Sequence, residues 1–265
     1  MRFTDALVRP PGRSLAQGLT TAGLGPPDHD RALEQHRRYC AALESAGLRV
    51  VRLAPDESHP DSTFVEDTAV VTPRGAILAR PGAPSRRGEV ASIRADLERL
   101  MGGRDLPLAE ILPPGTLDGG DICDAGGFYF IGLSDRTNED GAQQLASWLA
   151  TLGYDSALVD IRGGAAGLHL KSGLACVAPG LLVVMEDLAE HPSFRGWAQV
   201  RVPRGEEYAA NCLRVNQALL VAANHPGLEG ALRARETELG CAVVALEMSE
   251  FRKLDGGLTC LSLRR

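Results

Sequence analysis

Leu117-Asp118-Gly119-Gly120 is written a second time, as Leu254-Asp255-Gly256-Gly257. Working outward from the two copies, a polar or reactive residue stands just before a short apolar run at Asp67, Asp118, His169, Asn211 and Cys260. The intervals are 51, 51, 42 and 49 residues. A period of that length is one supersecondary unit and marks propellers and arrays. Five units of strand pair plus helix, closed in a ring, would bring all five strand entries to one mouth. An ordinary α/β chain with evenly spaced elements has the same spacing, so both readings stay open here.

The elements fit either reading. Apolar positions near helical spacing, with glycine placed to stop them, predict helices over 30–46, 89–101, 137–152 and 228–239. Thr137 is the expected N-cap of the third, with Asp140 three residues on. Runs rich in Val, Ile and Leu predict strands at 50–53, 69–72, 76–78, 128–132, 181–185, 213–215, 219–222 and 242–246. The turn-like strings 72–75, 124–127 and 178–180 predict hairpins. No internal boundary divides the chain, so one domain over 1–265 is expected.

Composition narrows the function. Lys and Arg total 28 against 34 Asp and Glu, a formal charge of −6, the wrong sign for a polyphosphate backbone. Nucleic acid is excluded as the expected partner. No run reaches the ~18 apolar residues of a membrane span and no signal-peptide core opens the chain, so the expected location is the cytoplasm. Six cysteines (Cys40, Cys123, Cys176, Cys212, Cys241, Cys260) lack any C-x-x-C pair, which argues for reduced thiols over disulfides or a zinc knuckle.

Four clusters carry chemistry. Pro60-Asp61-Ser62-Thr63-Phe64-Val65-Glu66-Asp67 sets three acids ahead of a buried strand, where each costs energy unless a cation meets it. That cation is either an internal Arg or Lys or a cationic substrate. Gly115-Thr116-Leu117-Asp118-Gly119-Gly120-Asp121 sets two acids on a glycine loop, where glycine permits positive φ or close approach. Its acid spacing does not match a calcium loop, and no metal is expected. His169, in Leu168-His169-Leu170-Lys171-Ser172, reads alone as a core histidine, and Cys260 alone as a small hydrophobe. Together, at matching points of a repeat, they become a candidate base and nucleophile.

These strings, with 80–89 (Arg80 to Glu89), Arg136-Thr137-Asn138 and 255–262 (Asp255 to Ser262), resemble the dimethylarginine dimethylaminohydrolase family of the guanidino-modifying penteins, in the family's order from Ser14 to Arg264. The resemblance implies a five-bladed α/β propeller around a central polar site. It implies Cys260 as nucleophile, His169 as general acid/base and Asp118 as the acid that orients His169 or the guanidinium. Glu66 and Asp67 would face the guanidinium, Arg86 and Arg136 would grip the α-carboxylate, and Asp61 with the carbonyls of Leu19 and Leu254 would receive the α-amine. The implied reaction releases dimethylamine or methylamine and citrulline through a covalent S-alkylthiouronium and needs no cofactor. The implied partner is a small methylated arginine, with a homodimer left open.

Two alternatives accompany that reading. A deiminase of free arginine or agmatine is one, although agmatine has no carboxylate for Arg86 and Arg136. A noncatalytic pentein that binds a macromolecule is the other, although such proteins lack the Cys and His pair. The segment 16–27 is either a lid or a surface connection.

Overall fold

The structure, a computed structural model, describes residues 2–101, 106–164 and 167–265. Only Pro73 and Arg74 join the apolar runs on either side of them, and so short a link makes the two strands antiparallel. Ala69–Thr72 accordingly pairs antiparallel with Gly75–Leu78. A parallel third strand needs a crossover, which the helix Arg87–Leu100 supplies before Leu108–Glu110 joins Gly75–Leu78.

The same unit recurs. Ile122–Asp124, Phe128–Leu133 and Asp155–Asp160 form the third blade, with the helix Glu139–Thr151. Leu174–Ala178, Leu181–Val184 and Ala198–Arg201 form the fourth. Leu213–Val215, Ala218–Ala222 and Ala242–Leu246 form the fifth. The first blade joins the two ends of the sequence: Leu263–Arg264 pairs antiparallel with Asp5–Val8, which pairs parallel with Arg49–Arg52. The ring is therefore closed by backbone hydrogen bonds, and the result is a five-bladed α/β propeller.

Apolar residues fill a wedge between each pair of neighbouring blades, giving five core clusters. Leu7, Ile93 and Leu97 in the wedge between the first and second blades are fully buried. Each contributes about 1.5–3 kcal/mol. The fourth blade has no long crossover helix, only Glu186–Ala189 and the 3-10 turn Pro192–Phe194. Aromatic edges fill that space instead, with Phe194 and Trp197 lying 5.0 and 5.3 Å from Phe130.

Several local expectations shift. The third helix is capped by Asn138, whose side chain accepts from Gly141 N–H, because Thr137 turns inward to Asp121. The fourth predicted helix is two, Pro226–Arg233 and Glu236–Leu239, ending at Gly240 in the left-handed region. The second helix ends at Leu100, and the glycines expected to stop it, Gly102 and Gly103, lie outside the described residues.

Each inner strand is entered through one helical turn: Val65–Thr68, Gly119–Asp121, Leu170–Gly173, Glu207–Ala210 and Thr259–Leu261. These turns pack on one another around the axis. The repeat is one of turns more than of single residues. Asp118 and His169 stand at the N-caps of their turns, Asp67 and Cys260 lie inside theirs, and Asn211 follows its own. The glycines of the duplicated string serve close approach, and positive φ falls on Asp255 instead. A Cβ on Gly119 would lie 2.0 Å from the Glu66 carbonyl, and one on Gly256 would lie 2.2 Å from the Phe64 ring.

Candidate active site

Cys260 sits in the turn Thr259–Leu261, and its Sγ accepts from Gly257 N–H at 3.4 Å. His169 enters from the fourth blade, with Nε2 3.0 Å from Asp118 Oδ2. Asp118 is itself held by Gly82 N–H, 2.9 Å from Oδ1. Asp67 Oδ1 accepts from Gly120 N–H at 2.8 Å and its Oδ2 from Arg86 Nη1 at 2.5 Å. A Cβ on Gly120 would lie 2.7 Å from His169 Nδ1, so glycine there lets the imidazole rest on the backbone.

Burial opposes a charge on His169, but Asp67, Asp121 and Asp118 outweigh it and raise the imidazole to about 9. Burial would also raise Asp67, yet Arg86 and protonated His169 hold it near 2. Cys260 is pushed up to about 12 by burial, then by Glu66 and Asp67, against the smaller help of Gly257 N–H and Lys171. The resting pair at neutral pH is therefore a thiol and an imidazolium.

Asp67, Asp118 and His169 each offer a ligand atom, all within 4.8 Å of one another. In this structure His169 Nε2 faces Asp118 Oδ2, and the Asp67 oxygens accept from Gly120 N–H and Arg86. The cluster is built as an ion-pair network.

The residues expected to receive the amine form a separate corner. Leu19 N–H donates to both Asp61 oxygens, at 3.0 and 3.3 Å. A Cβ on Gly18 would touch Asp61 Oδ1 and the Leu254 side chain, which places Asp61, Leu19 and Leu254 together.

No family model matches the chain. It is 40% identical over 262 residues to the N(G),N(G)-dimethylarginine dimethylaminohydrolase of Pseudomonas aeruginosa, covering 99% of each chain. It is 36% identical to the protein of the same name from Streptomyces coelicolor, over 100% of this chain and 98% of that one. The chain belongs to the dimethylarginine dimethylaminohydrolase family. A solved structure of DDAH from Pseudomonas aeruginosa, a cysteine-to-serine mutant complexed with citrulline, superposes with a TM-score of 0.92 at 39% identity over the whole of both chains.

Within this dimethylarginine dimethylaminohydrolase fold, the two arginines expected to act alike are placed differently. Every nitrogen of the Arg86 guanidinium has a partner: Glu89 at 3.0 and 2.8 Å, Asp67, and the carbonyls of Asp61 and Phe64. Arg136 is half-buried, and its guanidinium makes no hydrogen bond among the described residues. Burial raises the Asp61 carboxyl above its ordinary value, opposed by Arg86, by Leu19 N–H and, less, by Arg136. Glu66, expected to face the guanidinium, is instead held by the turn that bears Cys260 and by two cations. Its oxygens accept from Thr259 Oγ1 at 2.7 Å, Lys171 Nζ at 2.6 Å and Arg264 Nη2 at 3.3 Å.

Asp121 and Lys171 stand within the motifs, but nothing in their own segments assigns them a role. Asp121 accepts from Leu170 N–H, Ser134 Oγ and Thr137 Oγ1, at 2.9, 2.7 and 2.6 Å, and so ties the His169 turn to the loop bearing Arg136. The usable signal was a second acid on the glycine loop with no assigned cation.

A cavity of about 610 Å³ holds none of Asp67, Asp118, His169 and Cys260. It follows the inner strands from Glu66 and Lys171 to the hairpin ends at Pro73, Gly126 and Pro179. Glu66 and Lys171 line this channel, and Glu66 is next in sequence to Asp67 at the other end of the axis.

Proposed function

We propose that the protein hydrolyses the guanidinium group of Nω-methylated arginines, with Cys260 as nucleophile and His169 as acid and base. The observation that carries the reading is the His169–Asp118 pair at 3.0 Å, set in a mouth where Asp61, Asp67, Asp118, Asp121 and Glu89 outnumber Arg86, Arg136 and protonated His169. Such a mouth favours a cation. The relatives named for dimethylarginine, and the citrulline held by one of them, give that cation its class.

A guanidinium bound beside Cys260 would offset Glu66 and Asp67, which add to burial in raising the thiol, and so favour its ionisation to thiolate, the thiol proton leaving to solvent because His169 already carries one. The thiolate then bonds to the guanidinium carbon. Imidazolium His169 gives its proton to the departing dimethylamine as the carbon–nitrogen bond breaks, leaving an S-alkylthiouronium. Neutral His169 next takes a proton from water as the water oxygen bonds to that carbon. Collapse expels the Cys260 sulfur and yields citrulline. No step calls on a cofactor.

Arg136, with its fork uncommitted, is the main grip on the α-carboxylate, and Arg86 adds its field from below. Asp61 and the carbonyls of Leu19 and Leu254 receive the amine. Arg136, unpartnered among the described residues, favours an amino acid over agmatine. All these groups come from one chain, acting as one catalytic domain, and its reduced cysteines suit the cytoplasm.

The test is an amine-release assay on dimethylarginine, methylarginine, arginine and agmatine. Dimethylarginine or methylarginine should turn over at least about 10-fold more efficiently than the others, a difference near 1.4 kcal/mol. Preference for arginine or agmatine would replace the reading with a deiminase, and no release from any of the four would remove it.

A further inference from the structure

We infer that Asn211, on the fifth blade, is a positioning residue that holds the nucleophile's turn in register with the base's turn. Its side-chain amide spans the two. Nδ2 donates to the Lys171 carbonyl, in the turn His169 caps, at 2.9 Å, and to Thr259 Oγ1 at 3.1 Å. Oδ1 accepts from Thr259 N–H at 3.0 Å. Both N–H protons and the carbonyl oxygen are thus used, which leaves the buried amide one orientation.

A second contact points the same way. A Cβ on Gly257 would lie 2.5 Å from Asn211 Cγ, so glycine at 257 lets the amide lie flat on the turn. The N–H of that same Gly257 is the donor to Cys260 Sγ. Asn211 therefore touches two residues just ahead of the nucleophile, Gly257 whose N–H holds the sulfur and Thr259 next to it in sequence.

Thr259 continues the chain of bonds through Glu66 to Lys171 Nζ, so Lys171 is held at its carbonyl by Asn211 and at its ammonium by Glu66. The Cys260 turn packs on the Asp67 turn, that on the Asp118 turn, that on the His169 turn, and that on Glu207–Ala210. The bonds from Asn211 to Thr259 complete the circuit. Asp61, Leu19 and Arg136 lie outside it, so positioning should be separable from substrate grip.

The role rests on Cys260 and His169 being the reacting pair, and thiol labelling tests it even if the substrate assignment fails. Asn211→Ala should lower the single-turnover rate of amine release by about 10- to 100-fold, the scale of an ångström-level misplacement. The dissociation constant for dimethylarginine, measured with Cys260→Ser added to both proteins, should stay within about twofold, since the binding groups lie elsewhere.

Iodoacetamide labelling, mapped by peptide, should rise at Cys260 of Asn211→Ala while Cys123 and Cys212 stay protected. If Asn211→Ala does not fold, Asn211→Asp and Thr259→Val replace it, with Thr259→Ser expected to restore most of the rate that Thr259→Val loses. A turnover rate within twofold of the parent overturns the inference, as does loss of rate accompanied by equal exposure of Cys123 and Cys212, which would make Asn211 structural only. An inactive parent on every guanidine defeats the proposed function alone, and selective labelling of Cys260 then still decides the role of Asn211.

Discussion

At the channel end of the axis, Glu66 is met by Lys171 and Arg264; at the mouth, Asp61, Asp67, Asp118 and Asp121 are gathered around Arg86 and His169. Both ends also hold cysteines that burial pushes up to about 12, Cys123 and Cys212 on the channel and Cys260 at the mouth. Thiol acidity therefore does not single out the nucleophile. What differs is the company: Cys260 is raised partly by Glu66 and Asp67, whose effect an arriving cation can offset. Cys123 and Cys212 owe their shift first to burial and then chiefly to another cysteine, Cys176.

The neighbouring acids Glu66 and Asp67 let the comparison be broken one residue at a time. Asp67→Asn removes the largest favourable contribution to the His169 charge, so the imidazole should fall from about 9 toward its ordinary value near 6.5. Turnover should fall a few-fold at pH 7, where an imidazole near 6.5 is still about one-quarter protonated, and by up to about 10²-fold near pH 8.5 as the proton for the leaving amine is lost. Glu66→Gln should instead leave His169 protonated and strand Lys171 and Arg264, costing about 3–5 kcal/mol of stability. Histidine titration by NMR with thermal unfolding separates the two. A His169 pKa unmoved by Asp67→Asn would mean that the acids are not what charges it.

Part of this was legible before any coordinates. The intervals between Asp67, Asp118, His169, Asn211 and Cys260 marked five turns, because each turn must place a polar residue where an inner strand begins. The strand Leu263–Arg264 was not legible, since two residues carry no periodicity and its pairing lies across the whole chain. Asp155–Asp160 was hidden by acids at both ends and a mostly uncovered face. The inward turn of Arg86 was also beyond reach. Glu89 one helical turn on was visible, but its meeting with Asp67 is set by how two turns pack. Asn211 stood in the repeat with no role, because an amide's partners cannot be read from its own segment.

A smaller effect sharpens the comparison through pH. His169 titrates near 9 when folded against 6.5 as its ordinary value, so its contribution to stability is complete below about 6.5 and is lost as pH rises through 9. That loss amounts to at most about 3 kcal/mol. Asp67, near 2 when folded against 3.8, contributes fully above 3.8 and loses that contribution as pH falls through 2. Urea unfolding between pH 6.5 and 8, below the range in which cysteines of the unfolded chain ionise, should therefore show a decline in the parent protein that is absent in His169→Ala. Parallel curves for the two would place the charge elsewhere.

The central claim is that the mouth cysteine, and none on the channel, carries the substrate carbon. It is tested by quenching the protein in acid during turnover of dimethylarginine and mapping the adduct by peptide mass spectrometry. The account predicts an S-alkylthiouronium on the peptide bearing Cys260, none on those bearing Cys123, Cys176 or Cys212, and none anywhere in Cys260→Ser, which should also release no dimethylamine. An adduct on a channel cysteine, or dimethylamine release that survives Cys260→Ser, would contradict it.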